Sequence, residues 1–145
     1  MQSWTAEARR FLEEHEVGHL ATAAPDGTPH VVPVCYAIDD AGLYFVADLK
    51  PKRRPARVLA RLRNLHANPR AALIVDDYDR DWTRLAYVLV RGTATFLHAP
   101  KAHAAALALL RDRYPQYRTM AIDDPDAFPA VRITPTHVVI WRATP

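Results

Sequence analysis

The feature of the chain with the clearest chemical potential is a basic stretch at residues 50–63, which holds seven of the nineteen lysines and arginines. Arg54, Arg57 and Arg61 are three and four positions apart, so a helix would place them along one face. Guanidinium groups in such a row, beside the free N–H groups of a helix N-terminus, suit a phosphorylated ligand. A solvated basic face without any ligand is the alternative, and the stretch alone leaves both interpretations open.

The same region carries the signals of a short helix. Pro55 fits a first helical turn, where its missing N–H is no loss. The apolar residues that follow recur at helical spacing: Val58, Leu59, Leu62 and Leu65. The sequence therefore predicts a helix with one side in a core and a cationic side next to it, whose arginines face solvent.

The composition is that of an ordinary globular protein, and we expect one domain over residues 1–145. A net charge of +3 and a pI near 9.2 favour anionic partners. The single cysteine, Cys35, excludes an internal disulfide framework and fits a reducing compartment. No apolar run approaches the roughly 20 residues that span a bilayer, and the N-terminus has no signal-like apolar segment. We therefore expect a cytoplasmic protein without membrane association.

The elements that would position the basic stretch are mostly strands. Strands are predicted at residues 19–24, 30–38, 43–47, 71–75, 85–96 and 131–141. A first helix, capped by Ser3, is expected to end near His15, and a second to cover residues 101–114. Residues 25–27 form a predicted turn with a glycine, and Pro33 indicates an edge, a bulge or a kink in its strand. Six strands in short hairpins with flanking helices predict a small antiparallel barrel, closed to remove sheet edges.

Several segments, in this order, resemble one protein family. Residues 18–34 resemble the opening hairpin of the pyridoxamine 5′-phosphate oxidase-like split-barrel flavoproteins, and residues 63–76 resemble their helix-to-strand junction. Four shorter segments resemble the actinobacterial branch that uses the deazaflavin coenzyme F420: residues 48–53, 77–82, 90–94 and 113–117. The resemblance extends over residues 15–141. It implies a six-stranded antiparallel split β-barrel that forms a homodimer, with two cofactor sites in the dimer interface.

The resemblance also assigns residues to the cofactor site by position. Four basic residues match the region that binds the phosphate tail: Lys50, Lys52, Arg57 and Arg61. Four residues match the strand segment beneath the ring: Val32, Pro33, Val34 and Cys35. Trp82 and Tyr87 match the pocket wall. Where related sequences have two adjacent tryptophans, this chain has Ala86 and Tyr87.

The resemblance implies an oxidoreductase in which the reduced coenzyme F420 supplies hydride to an unsaturated or conjugated small organic substrate. Such a protein needs few catalytic side chains, since the site supplies orientation and one proton donor. No pattern selects that donor among four candidates: His30, Tyr36, Tyr78 and Tyr87. The histidines and the aspartates of residues 76–81 lack the spacing of a metal site.

Three other functions compete with this hypothesis. The first is an FMN-binding flavoprotein similar to pyridoxamine 5′-phosphate oxidase, and the second is a carrier that binds its cofactor without catalysis. The third is nucleic-acid binding through the basic stretch. Nucleic acid is the weakest of them, because the aromatic residues do not alternate with the basic ones as a base-stacking surface requires.

Overall fold

The computed structural model describes residues 4–48 and 59–145. These residues form three α-helices: α1 (Ala6–Glu14), α2 (Ala60–Ala67) and α3 (Pro100–Arg113). They also form seven strands: β1 (Val17–Ala23), β2 (Pro29–Cys35), β3 (Ala37–Asp39), β4 (Gly42–Val46), β5 (Arg70–Asp77), β6 (Ala86–Phe96) and β7 (Ala130–Arg142). Short 3₁₀ turns cover Trp82–Arg84 and Pro115–Thr119.

The strands make one antiparallel sheet in the order β2-β1-β5-β6-β7-β4-β3, which confirms the predicted class of a mostly β split barrel with flanking helices. Closure was expected, but among the described residues the sheet is not hydrogen-bonded into a closed barrel, because β2 and β3 are its two end strands. As an end strand, β2 tolerates Pro33, which has no N–H to donate to a ladder. Gly27 has the left-handed backbone angle, φ 89°, that the predicted turn before β2 requires.

Tyr36 explains why the structure has seven strands where the sequence predicted six. The predicted strand at residues 30–38 divides into β2 and β3 at this residue. The Tyr36 N–H donates to the hydroxyl of Tyr114 at 3.0 Å, and the Tyr36 carbonyl lies 2.7 Å from the same hydroxyl. A side chain thus satisfies both backbone groups of Tyr36, so the chain turns out of the ladder without leaving a buried group unpaired.

The two faces of the sheet have different roles. The inner face encloses the hydrophobic core, to which Leu20, Phe45, Leu73, Val88 and Ile133 contribute side chains that are at most 1% exposed. The other face, here called the outer face, carries the alternate residues of each strand. Because side chains alternate along a strand, the register fixes which predicted site residues can contact a ligand there.

The helices pack against different strands: α1 contacts β3 and β6, α2 contacts β1 and β2, and α3 contacts β3, β4 and β7. Thr5, and not Ser3, caps α1, since the Thr5 hydroxyl accepts a hydrogen bond from the N–H of Ala8 at 3.1 Å. In α2, Leu62 and Leu65 are buried as predicted, while Pro55 and Val58 lie outside the described residues.

The structure confirms α3 close to its predicted bounds. The helix buries Ala106, Leu107 and Leu110 against β4, whereas Ala105, expected on the apolar side, is exposed. Within the described residues, the helices are too short or too polar to cross a membrane.

Candidate functional site

The candidate site begins where β4 ends and the basic stretch starts. Asp48 follows β4 and is the last described residue before position 59. The Tyr117 hydroxyl, from the turn after α3, donates to Oδ2 of Asp48 at 2.9 Å. Burial raises the pKa of Tyr117, and the Asp48 carboxylate raises it further, so the phenol remains a hydrogen-bond donor. This contact fixes the point from which the basic stretch starts.

Arg61 lies in the first turn of α2, beside the Asp48–Tyr117 pair. Burial lowers the pKa of Arg61, and the negative charge of Asp48 opposes that effect. Within residues 4–48 and 59–145, the Nε atom of Arg61 is buried and has no hydrogen-bond partner. A buried guanidinium N–H without an acceptor costs free energy, and an anionic ligand would supply the acceptor.

This environment corrects one expectation from the sequence. Arg61 was expected to face solvent, but it is half-buried, and its charge interacts with those of Asp48 and Tyr117. The helical spacing of its neighbours could not show this, since both residues are distant in sequence. Lys50, Lys52 and Arg57, the other predicted phosphate-binding residues, lie outside the described residues.

The predicted segment beneath the ring divides between the two faces of the sheet. Val34 is 8% exposed in the core, and Val32 packs against the same cluster. Pro33 and Cys35 lie on the outer face, opposite His19 and Val17 of β1. Only Pro33 and Cys35 can therefore offer side chains to a ligand on the outer face, while Val32 and Val34 can contribute backbone atoms alone.

Cys35, the last residue of β2, lines a hollow of about 220 Å³ beside the turn after α3. Its lining includes Val17, Tyr114, Gln116 and Tyr117. Because Tyr117 also donates to Asp48, the hollow lies next to a residue two positions before the basic stretch. The candidate site is therefore the surface formed by Cys35, Asp48, Arg61 and Tyr117.

Tyr87 lies in another part of the outer face, and Trp82 lies in the 3₁₀ turn just before β6. Trp82 is 67% exposed in the turn before β6. Tyr87 stacks on Trp141 of β7 with ring centroids 5.6 Å apart. Neither Trp82 nor Tyr87 is among the described residues that line the hollow at Cys35. Within one chain they do not wall the candidate site, and a role there requires a second subunit.

The four candidate proton donors differ in what they already bind. The Tyr36 hydroxyl lies 2.6 Å from the carbonyl oxygen of Leu12, and burial raises the pKa of this phenol, so Tyr36 is a structural donor. Tyr78 is 72% exposed. The Nδ1 atom of His30 is buried and unpartnered within the described residues. Tyr87 is half-buried on the outer face.

A larger hollow, of about 610 Å³, lies elsewhere on the outer face, and none of the predicted site residues lines it. We place the candidate cofactor site at Arg61 because the buried unpaired donor and the basic stretch meet there. In the part of the chain that the structure describes, no three histidine, cysteine, aspartate or glutamate side chains are grouped to hold a metal ion.

Comparison with protein families adds a decisive observation to this geometry. The family model described as pyridoxamine 5′-phosphate oxidase matches residues 4–142, nearly the whole chain. The chain belongs to the pyridoxamine 5′-phosphate oxidase family. The family resemblance inferred from the sequence segments is thereby confirmed.

Individual relatives within and around the family include reductases. A solved F420 reductase is 32% identical, with a TM-score of 0.66, and the match covers 90% of this chain and 94% of that one. A 5a,11a-dehydrotetracycline/5a,11a-dehydrooxytetracycline reductase of Streptomyces rimosus is 33% identical over 88 residues. That match covers 60% of this chain, and the chain spans only 59% of the reductase's length.

A conserved hypothetical protein of Mycobacterium tuberculosis has the same fold as the present chain, and the match covers 99% of the present chain. The TM-score is 0.76, the identity 24%, and 87% of the mycobacterial chain is covered.

Sequence reasoning missed two residues that organise the site. Tyr117 was part of a segment that resembles the family, but nothing in its spacing indicated a contact with Asp48, 69 positions away. Tyr114 belonged to the same segment and was predicted as the end of a helix, but nothing indicated that its hydroxyl holds the junction between β2 and β3. The only signal in the sequence was a pair of tyrosines after a predicted helix, and tyrosines at such positions more commonly pack in the core than form a site.

Proposed function

We propose that this member of the family is an oxidoreductase that uses the reduced deazaflavin coenzyme F420 to reduce an unsaturated or conjugated small organic substrate. The similarity to an F420 reductase over 90% of this chain supports the cofactor, and the similarity to a tetracycline reductase supports the reaction class. The observation that carries the proposal is the buried, unpaired Nε of Arg61 beside the basic stretch.

The donor set of the candidate site fits an anionic cofactor. The Asp48–Tyr117 hydrogen bond holds Asp48, two positions before the basic stretch begins, and α2 carries Arg61 near the end of that stretch. Lys50, Lys52 and Arg57 follow in the sequence as further phosphate partners. Charge-assisted hydrogen bonds from several cations would neutralise and orient a phosphodiester tail.

The described residues would act mainly by binding and shaping. Pro33 and Cys35 offer an apolar strand surface for a flat ring, and the 220 Å³ hollow next to Cys35 gives room for a small molecule. When bound, the reduced ring supplies the hydride. Tyr87 remains a candidate for proton donation, since Tyr36 is committed to the carbonyl oxygen of Leu12 and His30 shares a face of β2 with the core-facing Val32 and Val34.

The proposed active form is a homodimer with the cofactor between subunits. Val17, Val31 and Trp141 expose 48%, 65% and 42% of their surface on the outer face, where Val31 lies opposite Ala21 and Trp141 stacks on Tyr87. Apolar side chains spread over one sheet face are typical of a subunit interface. A second copy on this face would also bring Trp82 and Tyr87 of one subunit towards the cofactor of the other.

FMN is the alternative cofactor, favoured by the pyridoxamine 5′-phosphate oxidase family model. Two measurements separate the alternatives. Protein purified after expression without F420 should be colourless if FMN is not its cofactor. Under anaerobic conditions, the protein should then reoxidise reduced F420, and not reduced FMN, in the presence of conjugated cyclic enones. A yellow protein that reoxidises only reduced FMN would transfer the proposal to the alternative.

A further inference from the structure

The 610 Å³ hollow on the outer face has a floor of small side chains. Ala21 of β1 lies opposite Ala72 of β5, which lies opposite Arg91 of β6, so the row crosses three neighbouring strands. Alanine side chains leave space above the sheet. In the next row along the strands, the larger Ile74 and Leu89 stand at the corresponding positions. The hollow thus exists because small alanine side chains occupy the paired positions of β1 and β5.

Cationic groups surround this hollow. Arg91 lies directly opposite His137 of β7, and Arg70 lies diagonally from Arg91, because it pairs with Thr93. Paired positions are about 5 Å apart and diagonal ones about 7–8 Å, so both guanidinium groups can reach one small ligand. Among the described residues that line the hollow there is no carboxylate, and neither Arg70 nor Arg91 has an ion pair in the described part of the chain.

Like charges at neighbouring positions on one sheet face repel each other, most strongly when directly opposite and less strongly when diagonal. Arg70 and Arg91 are in this position, on a concave surface that a ligand can enter. An anion between them would remove the repulsion and gain charge-assisted hydrogen bonds.

A β-bulge fixes the wall of the hollow. The register between β6 and β7 shifts at Arg91 and Gly92, which gives β7 one extra residue, Thr136. The Thr136 hydroxyl donates to the carbonyl oxygen of Arg91 at 3.2 Å. Gly92 is required at this point, since a Cβ there would lie 2.3 Å from the carbonyl oxygen of Thr134. Bulges change the direction of side chains and are common beside binding sites.

We propose that this hollow is a second anion-binding site, for a ligand that carries two neighbouring phosphate or carboxylate groups. Arg70 and Arg91 each bind one of the two groups, and the alanine floor accommodates the body of the ligand. The volume lies within the range of small-molecule sites. None of its residues belongs to the candidate cofactor site. The hollow lies between Val31 of β2 and Trp141 of β7 on the face that the proposed dimer covers, so the proposal rests on that interface leaving the hollow open.

The test is titration calorimetry of the full chain with inorganic pyrophosphate and, separately, with citrate. Saturable binding of either anion is expected, and the tighter one identifies the preferred group. Arg70→Gln and Arg91→Gln should each raise the dissociation constant about tenfold, the loss expected for one charge-assisted hydrogen bond. Arg10→Gln is the matched control, since Arg10 is exposed on α1 and does not line the hollow, and its constant should stay within about twofold.

Three outcomes would overturn the proposal. The first is the absence of binding by both anions to the wild-type protein. The second is binding that Arg57→Gln abolishes while Arg70→Gln and Arg91→Gln leave it unchanged, because the anion would then occupy the basic stretch. The third is a change of sedimentation coefficient in the Arg70 and Arg91 variants with unchanged anion affinity. That result would assign the hollow to contact with an acidic segment of a second copy.

Discussion

The junction between β2 and β3 depends on a single hydroxyl, and Tyr114→Phe tests how much. This hydroxyl accepts the N–H of Tyr36 at 3.0 Å and shares its own proton between the carbonyl oxygens of Tyr36 and Glu16, at 2.7 and 2.8 Å. Phenylalanine would keep the ring and leave the Tyr36 N–H buried without an acceptor. Removing one partner of a buried hydrogen bond leaves the other group with its desolvation penalty, so we expect the free energy of unfolding to fall by about 1–3 kcal/mol.

Urea unfolding followed by circular dichroism measures this loss. Tyr78→Phe is the control, because Tyr78 is 72% exposed and its substitution should change the free energy of unfolding by less than about 0.5 kcal/mol. Amide hydrogen exchange gives a local readout, in which the Tyr36 N–H should lose more protection than the neighbouring amides of β2 and β4. Equal stability of Tyr114→Phe and Tyr78→Phe would refute the reasoning, as would unchanged protection at Tyr36.

Three further results are expected. Arg61→Gln should weaken F420 binding about tenfold without lowering the free energy of unfolding. Arg10→Gln, at an exposed position, should change neither the affinity nor the stability. Equal F420 affinities of the wild type and Arg61→Gln would remove Arg61 from the site. Burial lowers the pKa of His15, but hydrogen bonds to Asp77 and to the backbone carbonyl of Phe11 outweigh this effect and raise the pKa above 6.5. The loss of stability in His15→Gln should therefore be largest below pH 6.5 and disappear as the pH rises through the raised pKa. A loss in urea unfolding that does not depend on pH would contradict this. Val31→Asp should convert the proposed dimer to a monomer in sedimentation, and a persistent dimer would place the interface elsewhere.

The sequence was sufficient for the fold class because alternating and helical patterns report burial directly. Strands around Leu20, Leu73 and Val88 were recognisable from local residues alone. The division of the second predicted strand at Tyr36 was not, since its cause is a hydroxyl 78 positions away in sequence. Local patterns carry no information about a backbone group whose partner comes from a distant element.

The candidate site was less accessible from sequence for the same reason. The basic character around Arg61 was visible from the sequence. Its half-buried state and its charge interaction with Asp48 and Tyr117 were not, because only the fold brings these residues together. Side chains alternate along a strand, so the sequence alone could have placed Pro33 and Cys35 on the face opposite to Val32 and Val34. This part of the site could therefore have been predicted better.

The central claim is that the candidate site binds the deazaflavin coenzyme in preference to FMN. Titration of the purified protein with F420, followed by competition with FMN in the same sample, measures this preference most directly. We expect F420 to bind tightly, its affinity to fall with added salt because the tail contacts are ionic, and excess FMN to displace it poorly. Tighter binding of FMN than of F420 would contradict the claim.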